Sequence, residues 1–195
     1  MSTVIQLSPP PAEVSPTHRR IRLFIRGLSW LFTALLVVLA AAATVIIAGI
    51  VLYPGDDLRI GSNAVWLGEG SPDSVPFHSL SLSHRLAYAL VGVVRTAPTL
   101  MIFWHMRALF GLYAGGTVFA PRNAHHLGRA GAWLCAYALA PLICHLFLQA
   151  AGYEIDKAWM HLSSVQALVL GLLVFVIAQV MQAGREIEED REGFV

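Results

Sequence analysis

GLSWLFTALLVVLAAAATVIIAGIVLYPG, residues 27–55, decides the fold, because it runs for 29 positions without an Asp, Glu, Lys or Arg. A transmembrane helix needs about 20 predominantly apolar residues to cross roughly 30 Å of hydrocarbon. Similar stretches follow, and the chain is only 13% charged, where a soluble domain is about 25% charged. We therefore predict an all-α membrane protein, a four-transmembrane-helix antiparallel bundle. Its spans are predicted at 28–53, 86–106, 130–152 and 160–183.

A basic start followed by an apolar middle is typical of a secretory signal as well as of a membrane anchor. The apolar core of a signal runs for about 7 to 15 residues, whereas here it continues through TVIIAGIVLY, residues 44–53. The first span is therefore predicted to be an uncleaved anchor within a transmembrane domain of residues 19–184. The Pro- and Ser-rich residues 1–18 are predicted to be disordered, and residues 185–195 to form an acidic tail.

The orientation is predicted from the Lys and Arg residues that flank the spans, because these collect on the cytoplasmic side. Nine arginines flank the spans on the side of the two termini, against three basic residues on the other side. Both termini are therefore predicted to be cytoplasmic. The opposite loop, of about thirty residues, is rich in turn formers. One weak hairpin is arguable there, at RIGSNAVWL, residues 59–67.

Arg95 interrupts the second span about 13 Å below its outer boundary at 1.5 Å per residue. An arginine at mid-membrane costs about 2.5 to 3.5 kcal/mol by insertion scales, and the spans contain no carboxylate to offset it. Pro98 offers one local compensation, because its missing N–H frees the carbonyl of Val94. The other spans place one polar side chain each at a similar depth. The sequence thus predicts a buried polar layer of Thr44, Arg95, His145 and Gln166, with snorkelling of Arg95 towards water as the alternative.

LFGLYAGGTVFAPRNAHHLGRAG, residues 109–131, fills the pattern LF-x-x-Y-x-x-G-x-V-F-x-x-x-N-x-x-x-L-x-x-x-G. On these residues the chain resembles the bacterial membrane family catalogued as domain of unknown function 2975, whose members look like four-span proteins. The resemblance implies a bacterial cytoplasmic (inner) membrane protein. It also implies a cytoplasmic protein partner, since some members look like genomic neighbours of small helix-turn-helix regulators. It implies no catalytic residue.

The same stretch is predicted from its residues to be a cytoplasmic elbow at the membrane surface. Aromatic side chains there suit the interface, while nearby arginines suit anionic headgroups. A loop that only positions the helices and a docking surface for a cytosolic protein both remain open. The elbow residues are Phe110, Tyr113, Gly116, Phe119 and Asn123.

Eight histidines raise the question of a haem or metal site. Only His145 is predicted to lie deep, while His84 and His161 lie near the outer boundary and His105 near the inner one, so no second histidine is predicted to match the depth of His145. His125 and His126 are adjacent, and on a helix they point about 100° apart, which makes a poor chelate. No metal ligand and no cofactor are therefore predicted.

The two cysteines and the enzyme motifs give no further site. Cys135 and Cys144 lie on opposite faces of one helix, about 13 Å apart along its axis, which is too far for a disulfide. HExxH, CxxC, GxxxxGK[ST], GxGxxG and GxSxG are all absent from the sequence.

These observations favour an integral membrane protein that regulates or scaffolds a cytoplasmic protein partner. The alternative is a small-solute transporter or channel subunit that uses the polar layer, and a membrane redox or hydrolytic enzyme comes third, so whether the protein is an enzyme stays open. Small residues in the first span, AAAATVIIAG at 40–49, permit close helix packing and a homo-oligomer. The predicted partners are the lipid bilayer, a cytoplasmic regulatory protein and a second copy of the chain. Direct nucleic-acid binding is not expected.

Overall fold

The computed structural model describes residues 16–61, 65–70, 72–116, 120–153 and 161–192. Four long helices account for most of this part of the chain: α1 (Pro16–Leu52), α2 (Leu82–Ala114), α3 (Pro121–Ala150) and α4 (Leu162–Glu192). Each contains a segment long and apolar enough to cross a membrane. The predicted all-α, four-span fold is confirmed. Where the bilayer begins and ends along these helices stays a prediction, as do the domain limits at residues 18 and 184.

The helix ends follow from local sequence. Ser81 caps the start of α2, where its hydroxyl accepts from the backbone N–H of His84, as N-cap serines commonly do. Pro121 begins α3 at a position where the absent N–H costs nothing. Of the two glycines that follow α2, Gly116 has a positive φ angle, at 85°. Gly115 stays right-handed at φ −77°, because one left-handed residue suffices to stop a helix.

The four helices form a row in which each packs chiefly on its neighbours in sequence: α1 on α2, α2 on α3 and α3 on α4. Among the described residues, α1 and α4 therefore lie at opposite ends of the row. The backbones of α3 and α4 approach each other closely where Gly131 faces Gly171. A Cβ added at Gly131 would lie 2.9 Å from the carbonyl oxygen of Gly171. Small residues permit such backbone contact between membrane helices.

A small antiparallel sheet covers one end of the helices. Its strands are β1 (Leu58–Ile60), β2 (Val65–Leu67) and β3 (Val75–Pro76), in the order β2-β1-β3, followed by a 3-10 turn at Phe77–Ser79. The hairpin suggested at 59–67 is confirmed, since Ile60 pairs with Val65. The third strand was not predicted, because two residues carry no readable alternation. We call this end of the helices the cap side and the opposite end, which carries the elbow, the elbow side.

The main buried cluster lies where the sheet meets the helices. It includes Ile50 of α1, Ile60 of β1, Phe77 of the turn, and Tyr88 of α2 with Leu148 of α3. Burial of apolar side chains stabilises the fold most at this end, where it removes them from water. Along the membrane-spanning segments, lipid already solvates apolar side chains, so burying them against another helix contributes little. Arg59 fixes the sheet by donating from Nε to Ser74 Oγ over 2.9 Å and from Nη2 to the Ser74 carbonyl oxygen over 2.7 Å.

Candidate functional site

A cavity of about 190 Å³ lies beneath the sheet, between α1, α2 and α3. Its walls are mostly apolar and come from all of these elements: Ala43, Ile46, Ile47, Ile50, Ile60, Val65, Phe77, Val91 and Leu148. We call it the cap-side cavity. Three helices, two strands and the 3-10 turn thus line one apolar space.

Polar groups collect at the end of the cap-side cavity that is farther from the sheet. Arg95, Thr96, Cys144 and His145 line this end, and Arg95 lies seven residues below Tyr88, about 10 Å at 1.5 Å per residue. Thr96 donates its hydroxyl to the carbonyl oxygen of Gly92 on its own helix, 2.7 Å away. The guanidinium and the imidazole are therefore the groups that give this end its cationic and hydrogen-bonding character.

Arg95 also lines a second cavity of about 230 Å³. The other lining residues are Tyr137, Ala140 and Pro141 of α3 with His161, Ser163 and Ser164 at the start of α4. Arg95 is thus shared by two cavities that both lie towards the cap side of the helices.

Hydrogen bonds join several chain segments at the cap side, next to Tyr88, which lines the cavity. Tyr88, 5% exposed, donates its hydroxyl to the carbonyl oxygen of Tyr153 over 2.9 Å, and its ring contacts Phe77 edge-on. Arg85 donates to the carbonyl oxygens of Ile50 and Tyr53 at the end of α1. These contacts join the end of α1, the 3-10 turn, the start of α2 and the residues that follow α3.

The structure brings together two of the four residues of the predicted polar layer. Arg95 and His145 line one cavity, whereas Thr44 and Gln166 lie on exposed faces of α1 and α4. The Thr44 hydroxyl donates to the carbonyl oxygen of Ala40 on its own helix, 2.8 Å away. Depth along a helix was the basis of the prediction, but the rotation of the helix decides which neighbour a side chain meets. The four-residue layer stays a prediction.

The elbow residues are placed as follows. Phe110 stacks on Phe32 of α1 with ring centroids 5.4 Å apart and contacts Tyr113 edge-on. Gly116 lies just after the end of α2, and Asn123 is fully buried in the first turn of α3. Phe119 lies outside the described residues. The aromatic rings of the elbow thus join α2 to α1, and the assignment of these residues to a docking surface stays a prediction.

A pair of histidines on the elbow side was not indicated by the sequence. Nδ1 of His105 on α2 lies 3.1 Å from Nδ1 of His126 on α3. Both residues lie within a few helical turns of the connection between α2 and α3. Counting turns from that connection along each helix would have indicated that the two side chains could meet. Depth from the outer boundary, on which the prediction rested, did not pair these two residues. His105 is 9% exposed, so the pair is set into the contact between the two helices.

Four membrane-crossing helices with a small sheet at one end define a multi-pass membrane protein of the all-α class. The family described as Protein of unknown function (DUF2975) matches residues 62–193. The chain belongs to this family, as the 109–131 motif indicated. No curated protein and no solved structure matches the chain.

Proposed function

We propose that this protein is a membrane-embedded regulatory module, which binds a small amphipathic molecule at its cap side and a cytoplasmic protein at its elbow side. One observation carries the proposal: the cap-side cavity has apolar walls and ends at Arg95 and His145. Binding sites for small molecules are typically apolar pockets with a few polar groups that fix the orientation of the ligand.

The lining indicates the chemistry of the ligand. Apolar walls suit a hydrocarbon group, and a guanidinium and an imidazole that line the same cavity suit a carboxylate or phosphate. The volume of about 190 Å³ lies below the roughly 300–1,000 Å³ of pockets for drug-sized ligands. A small anion with a short apolar tail, or one end of a longer amphiphile, fits these limits.

The route from the cavity to the elbow side supports a regulatory role. The helices α2 and α3 both line the cavity and meet again at the elbow, so a ligand that changes their packing also acts on the elbow. Helix α4 continues past the apolar segment that ends at Arg185 as far as Glu192. Five of residues 186–192 are acidic, and an acidic helix complements a basic protein surface.

The partner is tested by photocrosslinking in intact cells from a photoreactive amino acid at position 187, with the same group at position 67 as the matched control. We expect position 187, but not 67, to crosslink a cytoplasmic protein. Neutralising the acidic residues of 186–192 should weaken the binding of that protein, measured with the purified components. The proposed binding of a cytoplasmic protein would be contradicted if position 187 gave no crosslink. It would also be contradicted if neutralising the acidic residues left the affinity for the partner unchanged.

The ligand is tested by native mass spectrometry of the protein released from nanodiscs. The expected result is a co-purified anionic amphiphile that is lost in Arg95→Gln and kept in Arg107→Gln, a control on the same helix. Equal amounts of bound amphiphile in the two variants would mean that it does not bind in the cap-side cavity.

A small-solute transporter or channel subunit is the second candidate, favoured by the sharing of Arg95 between two cavities. Because both cavities lie towards the cap side, they favour binding over passage across the membrane. Uptake of radiolabelled anions into proteoliposomes decides between the two, since a regulatory module gives no flux above that of protein-free vesicles.

We also propose a location in the bacterial inner membrane with both termini in the cytoplasm, from the surplus of arginines on that side. Reporter fusions at each terminus test the orientation, and a reporter that is active only after export would contradict it at either terminus.

The apolar faces of α1 and α4 are largely exposed in one chain, so lipid or a second copy covers them.

A further inference from the structure

The histidine pair on the elbow side brings two imidazole nitrogens close enough together to bind one metal ion. His105 and His126 approach each other through their Nδ1 atoms, 3.1 Å apart, with the ring planes at 48°. Two nitrogens bound to one tetrahedral metal ion, each about 2.0–2.1 Å from it, lie about 3.3 Å apart. The observed separation needs only a few tenths of an ångström of adjustment to match.

We propose that His105 and His126 bind a divalent transition-metal ion of the kind that prefers imidazole, such as Zn²⁺, Cu²⁺ or Ni²⁺. The ion joins α2 to α3 near the elbow and so strengthens the contact between the two helices. This inference does not depend on the proposed function.

Metal binding requires no net release of protons from the two histidines. In the metal-free pair one Nδ1–H donates to the other Nδ1, so the two rings are opposite tautomers. When the metal binds, the donating ring moves its proton from Nδ1 to Nε2, and both Nδ1 lone pairs then point at the ion. Neutral imidazole is the form that binds metals.

The surroundings set the strength of the site. Within the described residues no group of three or more His, Cys, Asp and Glu could hold a metal ion, so water completes the coordination. Arg129 acts electrostatically on His105, but its side chain is exposed, and water screens its repulsion of a cation. A two-ligand, open site of this kind binds more weakly than a closed structural zinc site.

The test uses Cu²⁺ alone, added to the tag-free full-length protein in nanodiscs, because copper binds imidazole most strongly among these metals. Pulsed EPR counts the imidazoles on the bound ion. We expect two in the native protein, one in His105→Gln and in His126→Gln, and two in His125→Ala, the adjacent and exposed control. The affinity should fall by at least about tenfold in the first two variants, since loss of a mere supporting contact to a metal ligand costs about 10- to 100-fold.

A single imidazole on copper in the native protein overturns the inference, and this reading needs no variant to fold. Copper binding that His105→Gln and His126→Gln leave unchanged overturns it as well, because the ion then occupies another of the eight histidines. A rise in melting temperature with Zn²⁺ that is absent in His105→Gln checks that the ion joins the helices.

Discussion

Arg85 of α2 donates from Nε to the carbonyl oxygen of Ile50 in the last turn of α1, over 2.9 Å. A second bond, from Nη2 to the carbonyl oxygen of Tyr53, is 3.2 Å long. The final carbonyls of a helix have no partner within the helix, and a cation near them is favoured by the helix dipole. One side chain of the second helix therefore completes the end of the first, at Ile50, which lines the cap-side cavity.

Arg85→Ala is expected to lower the free energy of unfolding by about 1–3 kcal/mol, because hydrogen bonds to a charged group each contribute about 1.5–3 kcal/mol and this side chain is only half-buried. SDS titration in mixed micelles measures the change. Arg107→Ala is the control on the same helix: that guanidinium lies over the exposed ring of Trp104, 5.6 Å from its centroid. Its loss should cost about 0.5–1 kcal/mol. Equal losses in the two variants would mean that capping contributes nothing.

Gly131→Ala should force α3 and α4 apart, since a Cβ at position 131 would lie 2.8 Å from the backbone nitrogen of Phe175. Overpacking of this kind costs about 1–3 kcal/mol. Gly111→Ala is the matched control, because a Cβ there meets nothing within 4 Å, and alanine in a helix is favoured over glycine by about 0.5–1 kcal/mol. Thermal unfolding of the two variants should therefore shift in opposite directions, and a stabilised Gly131→Ala would disprove the close approach.

Hydropathy alone was enough to predict the four helices, because the thickness of the bilayer sets a length that few soluble helices reach. It does not give the rotation of each helix, and Thr44 and Gln166 were grouped with Arg95 by depth alone, although both side chains are exposed in the structure. Nor does it give the pairing of His105 with His126, which depends on how α2 and α3 meet beyond the elbow. Gly131 shows the limit of a motif: its place in the pattern was visible, but its contact with Gly171 required the packed structure.

Tyr88→Phe removes one hydrogen bond beside the cap-side cavity and keeps the ring that contacts Phe77. The loss of the donor to the Tyr153 carbonyl oxygen should lower the free energy of unfolding by about 0.5–1.5 kcal/mol. Hydrogen exchange at the segment around residue 153 should become faster. Tyr137→Phe, whose ring is exposed, serves as the control, and an identical response in the two variants would contradict the role of the Tyr88 hydroxyl.

Tyr53 provides a pH-dependent contact at the cap side. Its hydroxyl donates to Oδ2 of Asp57 over 2.9 Å, and this hydrogen bond, with the charge of Asp57, raises the pKa of Tyr53 above 10.0. Since only the protonated phenol can donate, the contact is present below the ordinary pKa and is lost as the pH rises through the raised one. In Asp57→Asn the pKa of Tyr53 should fall. NMR titration of ring-labelled tyrosine measures it, and an unchanged value would mean that the hydrogen bond does not form.

Replacement of the four polar-layer residues one at a time decides how many of them act together. Thr44→Val and Gln166→Leu are expected to leave membrane abundance unchanged, because both side chains are exposed in the structure. Arg95→Leu should reduce abundance and raise the labelling of His145 by a water-soluble imidazole reagent, since the two residues line one cavity. Leucine is easier to insert into a membrane than arginine by about 3 kcal/mol or more, so a fall in abundance would reflect lost contacts rather than poorer insertion. Unchanged abundance together with unchanged His145 labelling would mean that Arg95 snorkels to water by itself.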